Sequence, residues 1–343
     1  MQTVYSPRHA GHSGNTELQP GAIVPAFEVP RRAEMIRERI EAVRLGPILP
    51  PEPQELTIAA RVHAPDYLGF LARAWSLWHA AGREGAAMPF VWPRPGLRDD
   101  VPPSDVDGLL GLYSMDAGAT FVAGTWEAVR ASHDVALTAA GLVAAGAPAA
   151  FALCRPPGHH AGARFAGGYC YVNNAAVAAE ALRVGGAARV SVLDIDYHHG
   201  NGTQEIFYGR GDVQVVSIHA DPMVEYPYFL GHADERGAGT GEGANLNLPL
   251  PHGTDFARWA EALAAGCAAV GRFAPDVLVV SLGVDTFRGD PISQFRLDTS
   301  DYPVIGARIA ALGVPTLFVM EGGYAVEEIG VNAVGVLEGF EAG

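Results

Sequence analysis

The sequence predicts an α/β protein with a parallel sheet covered by helices on both faces. Two observations carry this. Short apolar runs without polar alternation (AAFALC, ARVSVLDID, VQVVSIH, DVLVVSLGVD and PTLFVMEGG) are separated by helical stretches, the mark of strands buried on both faces. The polar clusters PPGHH, DIDYHHGNG, SIHADP, GVDTF and EGGY all sit at the C-terminal ends of those runs, the sheet edge at which ligands bind in open α/β sheets.

Taken in order, MQTVYS opens as a strand. RRAEMIRERIEAVRLG reads as an amphipathic helix, with Met35, Ile36, Ile40 and Val43 near one face and Gly46 at its end. Tyr67 to Ala81 is helical by the same pattern. From Arg83 to Thr125 the composition turns rich in Pro, Gly and Asp, predicting a long ordered loop or insertion, a kind of segment that often carries function. In the second half, Asn174 to Val184 is an Ala-rich helix stopped by Gly185 and Gly186. Helices are also expected over Phe256 to Phe273 and Tyr302 to Leu312. With no repeat and no low-complexity linker, the 343 residues read as one domain, 1–343, with the insertion at about 83–125.

Composition narrows the function. Apolar residues make up 49% and charged residues 18%, enough for a large core. No run of about 18 uncharged apolar residues predicts a membrane span, and the N-terminus has no secretory h-region. A net charge of −15 without a Lys/Arg cluster argues against nucleic acid. Acidity could draw a cationic substrate, although solubility alone also accounts for it. Cys154, Cys170 and Cys267 are too few and too scattered for a disulfide framework or a cysteine zinc site, so a cytoplasmic setting is the expectation.

The chemistry concentrates in LDIDYHHGNG. Residues two apart in an extended segment face one side, so Asp196 and His198 can reach one ion. Asp285, ending another apolar run, supplies a third ligand of suitable type. Three protein ligands leave a position for water, as in catalytic zinc sites; the same set also suits Fe(II), Co(II) or Mn(II). His159 and His160 follow a strand in a Pro/Gly-stiffened turn. Adjacent imidazoles oppose each other's ionisation, so one stays neutral and able to take a proton. Asp194 and Asn201 are the candidates to fix their tautomers. Tyr324, after two glycines, is placed to donate its hydroxyl to an oxyanion. The expected reaction is metal-promoted amide hydrolysis.

RPPGHHAG, GGYCYVNNAA, LDIDYHHGNGTQEIFY, SLGVDTF and MEGGY together resemble the arginase/deacetylase superfamily on its histone deacetylase branch, over nearly the whole chain. NTEL, GTWEA and SLGVDTFRGDPISQF resemble the acetylpolyamine amidohydrolases within it. The resemblance implies a three-layer arginase/deacetylase fold with a mostly eight-stranded parallel sheet. It also implies one zinc ion per subunit, a homodimer formed with help of the long loop, and release of acetyl groups from acetylputrescine, acetylcadaverine or longer polyamines. Carried over by motif, it makes Asp196, His198 and Asp285 the zinc ligands, and His159, His160 and Tyr324 the catalytic groups. Tyr169, Tyr226 and Ile292 become walls of a substrate tunnel. It also implies a potassium site at Asp194, Asp196, His198, Ser217 and Ile218. Asp107 takes one position of the loop acids that meet the cationic tail; the other falls on Gly118, with Asp116 close by. That departure keeps a second reading open, a zinc amidohydrolase acting on another small amide such as a xenobiotic amide or acetyl-lysine. A catalytically inert binding protein on this fold is a third, and the intact set of six residues argues against it.

Overall fold

The computed structural model describes residues 1–343. Its strands are β1 (Gln2–Val4), β2 (Thr16–Gln19), β3 (Ala22–Pro25), β4 (Ile48–Leu49), β5 (Ala149–Ala152), β6 (Val190–Asp194), β7 (Val213–Ala220), β8 (Asn245–Leu250), β9 (Val277–Leu282) and β10 (Thr316–Met320). Eight of them form one sheet in the order β4-β1-β5-β10-β9-β6-β7-β8, and every pairing in it is parallel. β2 and β3 make a separate antiparallel hairpin. The helices are α1 (Arg31–Val43), α2 (Ala59–Val62), α3 (Pro65–Leu71), α4 (Ala74–Ala80), α5 (Val106–Leu112), α6 (Thr125–Ala144), α7 (Asn174–Val184), α8 (Asn201–Phe207), α9 (Phe256–Phe273), α10 (Tyr302–Ala310) and α11 (Val326–Ala342).

Side-chain alternation sorts the strands between two cores. Ala150, Ala152, Val192, Val279, Leu317 and Val319 join a buried cluster of 41 residues closed by α6 and α7. Phe151, Leu193, Val280, Phe318 and Met320 join a second, of 34, closed by α1, α9, α10 and α11. Comparable cores on both faces explain why these strands carry no polar alternation. Register then aligns their C-terminal ends: Asp194 pairs with both Ser217 and Ser281, and Met320 with Leu282. The turns after β5, β6, β9 and β10 therefore open side by side.

The structure departs from the sequence reading in four places. α1 ends at a left-handed Arg44 rather than at Gly46. The helix expected over 67–81 is broken at Ala72–Arg73 into α3 and α4. The helix expected over 302–312 stops at Ala310. The insertion holds a helix of its own, α5, whose first turn is capped by the Asp105 carboxylate accepting from the Asp107 amide. The sequence reading, which rested on unbroken apolar runs, also passed over β8, an edge strand in which NLNLPL begins by alternating polar and apolar residues.

A buried ion cluster fixes the N-terminal segment against the site turns. Glu28 is fully buried, and its Oε1 accepts from both Arg32 (2.7 Å) and Arg155 (2.8 Å). Arg155 also donates to the carbonyls of His9 and His12. Burial alone would raise the Glu28 carboxyl, but Arg155 and Arg32 bring it down to about 2. The neighbouring histidines behave in the opposite way. Burial pushes His9, His12 and His63 down to about 4. His63 is satisfied as a neutral ring: Nδ1 donates to the Gly162 carbonyl and Nε2 accepts the Asn173 amide.

The pH dependence of stability follows. Between about pH 6.5 and 4 the unfolded chain binds more protons at these three histidines than the folded one, so stability falls as pH falls, by roughly 3 kcal/mol per histidine at the lower limit. Glu28 keeps its contribution down to its ordinary pKa and loses it only below that. Urea midpoints are expected to drop already between pH 6.5 and 5. Midpoints that stay flat to pH 4.5 would contradict the buried neutral rings.

Candidate active site

A cavity of about 690 Å³ opens at the aligned strand ends. His160, His198 and Tyr324 reach it, Tyr169, Tyr226 and Ile292 wall it, and Glu17, Asp116, Gly118 and Glu225 also line it.

At its base Asp196, His198 and Asp285 converge, their ligand atoms all within 4.8 Å of one another. The convergence does not come from strand alternation, because β6 ends at Asp194. Two successive turns produce it instead: Asp194 Oδ1 accepts the Asp196 amide (3.1 Å) and Asp196 Oδ1 accepts the His198 amide (2.9 Å). Asp285 Oδ1 takes the Tyr197 amide, and Asp196 Oδ2 the Gly322 amide, each at 2.8 Å. Gly322 must lack a side chain: a Cβ there would lie 2.5 Å from Asp285 Oδ2 and 2.6 Å from Asp196 Oδ2. Both carboxylates are fully buried and no Lys or Arg touches them; their ion-pair partners are His159 and His198. Burial and the adjacent Asp196 push Asp285 up to about 7. Two buried carboxylates and an imidazole, short of positive charge and closely converged, fit a divalent transition metal, zinc among them.

The two site histidines differ in partner. His159 Nδ1 meets the Asp194 carboxylate at 3.0 Å, and His160 Nδ1 meets Asn201 Oδ1 at 2.7 Å. Asn201 Nδ2 donates elsewhere, to Met115 Sδ and the His160 carbonyl, so its oxygen faces the ring and His160 carries its proton on Nδ1. Burial disfavours charge on both rings. For His159 the carboxylates of Asp196 and Asp194 outweigh burial and hold it well above its usual range. For His160 burial prevails, reinforced by the charges of His159 and His198, and holds it well below. The ring centroids lie 4.0 Å apart, so one ring's charge opposes the other's.

Tyr324 is 7% exposed, and burial keeps its phenol protonated. The Arg32 guanidinium lies 4.7 Å from its ring centroid and donates to the carbonyls of Glu321 and Gly323. The Tyr169 ring lies 5.5 Å from that of Tyr324, and the Tyr226 ring 5.0 Å from that of His160. Tyr169 takes a left-handed backbone (φ 68°) after Gly168 (φ 50°), where a Cβ would meet His160 Cδ2 at 2.4 Å.

All the expected metal and catalytic residues thus come together. Asp194 and Ser217 are register partners, but the Ser217 hydroxyl pairs with His219 Nδ1. Asp107 is not brought to the cavity: its carboxylate pairs with Arg83. The local reason is α5, whose capped first turn carries Asp107 away from the lining. Asp116 does line the cavity, but its oxygens accept the Gly118 and Gly168 amides and the Tyr226 hydroxyl. Glu225 is likewise engaged, by the Tyr226 amide, the Tyr197 hydroxyl and His252. Sequence reasoning missed Glu17, although it stands in the NTEL motif. It is 2% exposed, and its Oε2 is the one lining carboxylate oxygen that is buried without a partner. Also missed was Glu321, whose Oε2 accepts the Gly158 and His159 amides and which approaches His159 and Cys170.

Comparison with known proteins places the chain among similar sequences and folds. The histone deacetylase domain model matches residues 26–340. Acetylpolyamine amidohydrolase 2 of Pseudomonas aeruginosa is 54% identical over 341 residues, covering 99% of each chain. Acetylpolyamine amidohydrolase of Mycoplana ramosa is 47% identical, again over 99% of each. The crystal structure of acetylpolyamine aminohydrolase from Burkholderia pseudomallei superposes with a TM-score of 0.95 at 42% identity, covering 100% of this chain and 99% of that one.

Metal removal should be costly at a site with this charge. Chelation is expected to lower Tm, and added zinc to restore it. Asp285→Asn should weaken zinc at least about tenfold in competition with a chromophoric chelator. Unchanged affinity in that variant would rule Asp285 out as a ligand.

Proposed function

The chain belongs to the histone deacetylase domain family, and on that premise we propose that it hydrolyses the acetyl amide of acetylated polyamines such as acetylputrescine and acetylcadaverine. The observation that carries the reading is the pairing of a proton-accepting histidine at the cavity floor with a buried carboxylate in its wall, Glu17, whose Oε1 accepts from Gln19 while its Oε2 has no partner.

Asp196, His198 and Asp285 would hold the zinc ion, which supplies Lewis acidity toward the acyl carbonyl and water. The protein's own groups perform the proton transfers. His160, neutral with its proton on Nδ1, offers the Nε2 lone pair to the attacking water. As the C–N bond breaks, the departing amine takes a proton from an imidazolium, that of His160 or of His159. Tyr324, kept protonated by burial, donates to the oxyanion. Tyr169, Tyr226 and Ile292 give flat apolar walls suited to a methylene chain. Glu17 is assigned the ammonium of the tail, in place of Asp107, which lies outside the cavity lining and pairs with Arg83, and of Asp116, whose oxygens are already engaged.

Three further assignments belong to this reading. The whole chain acts as one catalytic unit, with residues 83–125 as its insertion. Asp194, Asp196, His198, Ser217 and Ile218 would hold potassium, a reading supported by the β6–β7 register that sets Asp194 beside Ser217. The chain works as a homodimer in the cytoplasm. The exposed Phe90, Leu97 and Val101 of the insertion support the dimer. Three free cysteines and the lack of any helix long and apolar enough to cross a membrane accord with the location.

Glu17→Gln is expected to lower kcat/KM for acetylputrescine about tenfold or more, the scale of a lost charged hydrogen bond, while leaving an uncharged N-alkylacetamide of equal length within about twofold. The competing reading, a xenobiotic amide or acetyl-lysine as substrate, would gain if a neutral amide or an acetyl-lysine peptide outran the acetylpolyamines by more than about tenfold in kcat/KM.

A further inference from the structure

Asp290 lies in the turn after Asp285, buried to 7% exposure, and the chemistry above gives it no role. Its two oxygens serve two segments. Oδ2 accepts the backbone amide of Tyr324 at 2.7 Å and that of Ala325 at 3.3 Å. Oδ1 accepts the amide of Ile292 at 3.1 Å. Ile292 in turn packs on the Tyr169–Tyr324 pair.

The loop around Tyr324 does not hold its own shape. Gly322 and Gly323 contribute no side chains, and Gly323 adopts φ 126°. External bonds anchor it peptide by peptide: Arg32 holds the Glu321 and Gly323 carbonyls, and Asp196 holds the Gly322 amide. The Tyr324 amide is bonded to Asp290. α11 begins directly afterwards, and its N-cap, Ala325, has no side chain able to cap it. A carboxylate from a distant turn therefore sits on the two amides that lead into α11, near the positive end of the helix dipole, which favours an anion. One side chain thus bonds the backbone at Tyr324 and the backbone at Ile292.

We propose that Asp290 is a positioning residue for Tyr324: its carboxylate holds the Tyr324 amide and the Ile292 turn in one arrangement, so that the phenol is already placed for the oxyanion when substrate enters. This rests on the reading of Tyr324 as the oxyanion donor. A misplaced donor loses most of its worth in the transition state, so the effect belongs in kcat rather than KM.

The test compares native enzyme, Asp290→Asn, Asp290→Glu, Tyr324→Phe and the Asp290→Asn/Tyr324→Phe double variant on acetylputrescine. Zinc content and backbone amide exchange over residues 321–326 are measured alongside. Asp290→Asn is expected to lower kcat about tenfold or more, with KM within about twofold and zinc unchanged. In the Tyr324→Phe background the same change should cost less than about twofold, because the group it positions is gone. Asp290→Glu, which keeps the charge but displaces the oxygens, should fall with Asp290→Asn. Exchange over 321–326 should accelerate in both. The proposal is overturned by an equal fold loss in both backgrounds, by native kcat in Asp290→Glu, or by unaltered exchange. If native enzyme turned over no acetylated amine, the functional reading would fail on its own, and the exchange measurement would still decide whether Asp290 anchors the loop.

Discussion

Asp194, Asp196 and Asp285 are carboxylates buried on one edge of the sheet, and histidines rather than arginines form their ion pairs. Uncompensated burial of such charge is prohibitive, and the surrounding features answer it. Backbone amides of Tyr197, His198 and Gly322 are turned toward the carboxylates. Gly322 makes that approach possible. The balance still owed is positive, and three convergent donors set the place for a divalent ion.

The same charge separates the histidines. A protein with two identical imidazoles 4.0 Å apart needs a way to make them unlike. Here the carboxylates of Asp196 and Asp194 lie against His159, whereas His160 faces the amide oxygen of Asn201 and the charges of His159 and His198. A carboxylate rewards a protonated ring, whereas a carboxamide oxygen only orients a neutral one. The opposite preferences of the two rings thus follow from sequence positions on two neighbouring turns. The parallel register supplies their spacing, and the Glu28–Arg32–Arg155 cluster ties the N-terminal segment to the turn that bears Tyr324.

Much of this was legible in the sequence. Apolar runs located β5, β6, β7, β9 and β10, because burial on both faces removes polar residues. The site residues stood out as polar clusters at the ends of those runs. Asp196 and His198 were paired for an incomplete reason: side-chain-to-amide turns, rather than strand alternation, bring them together. What depends on contacts distant in sequence was not legible. The Asp107–Arg83 pair spans 24 residues, the Asp290–Tyr324 bond 34, and the Arg32–Glu321 bond 289. Glu17 stood in view, but its free oxygen becomes evident only once the partners of Asp116 and Glu225 are known.

The central claim is that Asp196, His198 and Asp285 form a single divalent metal site serving the His159–His160 pair. A crystal of zinc-loaded protein, with data collected on both sides of the zinc absorption edge, tests it directly. The account predicts one strong anomalous peak per chain, bounded by those three side chains. No peak there, or the dominant peak at the nearby His159, Cys170 and Glu321 instead, would contradict it.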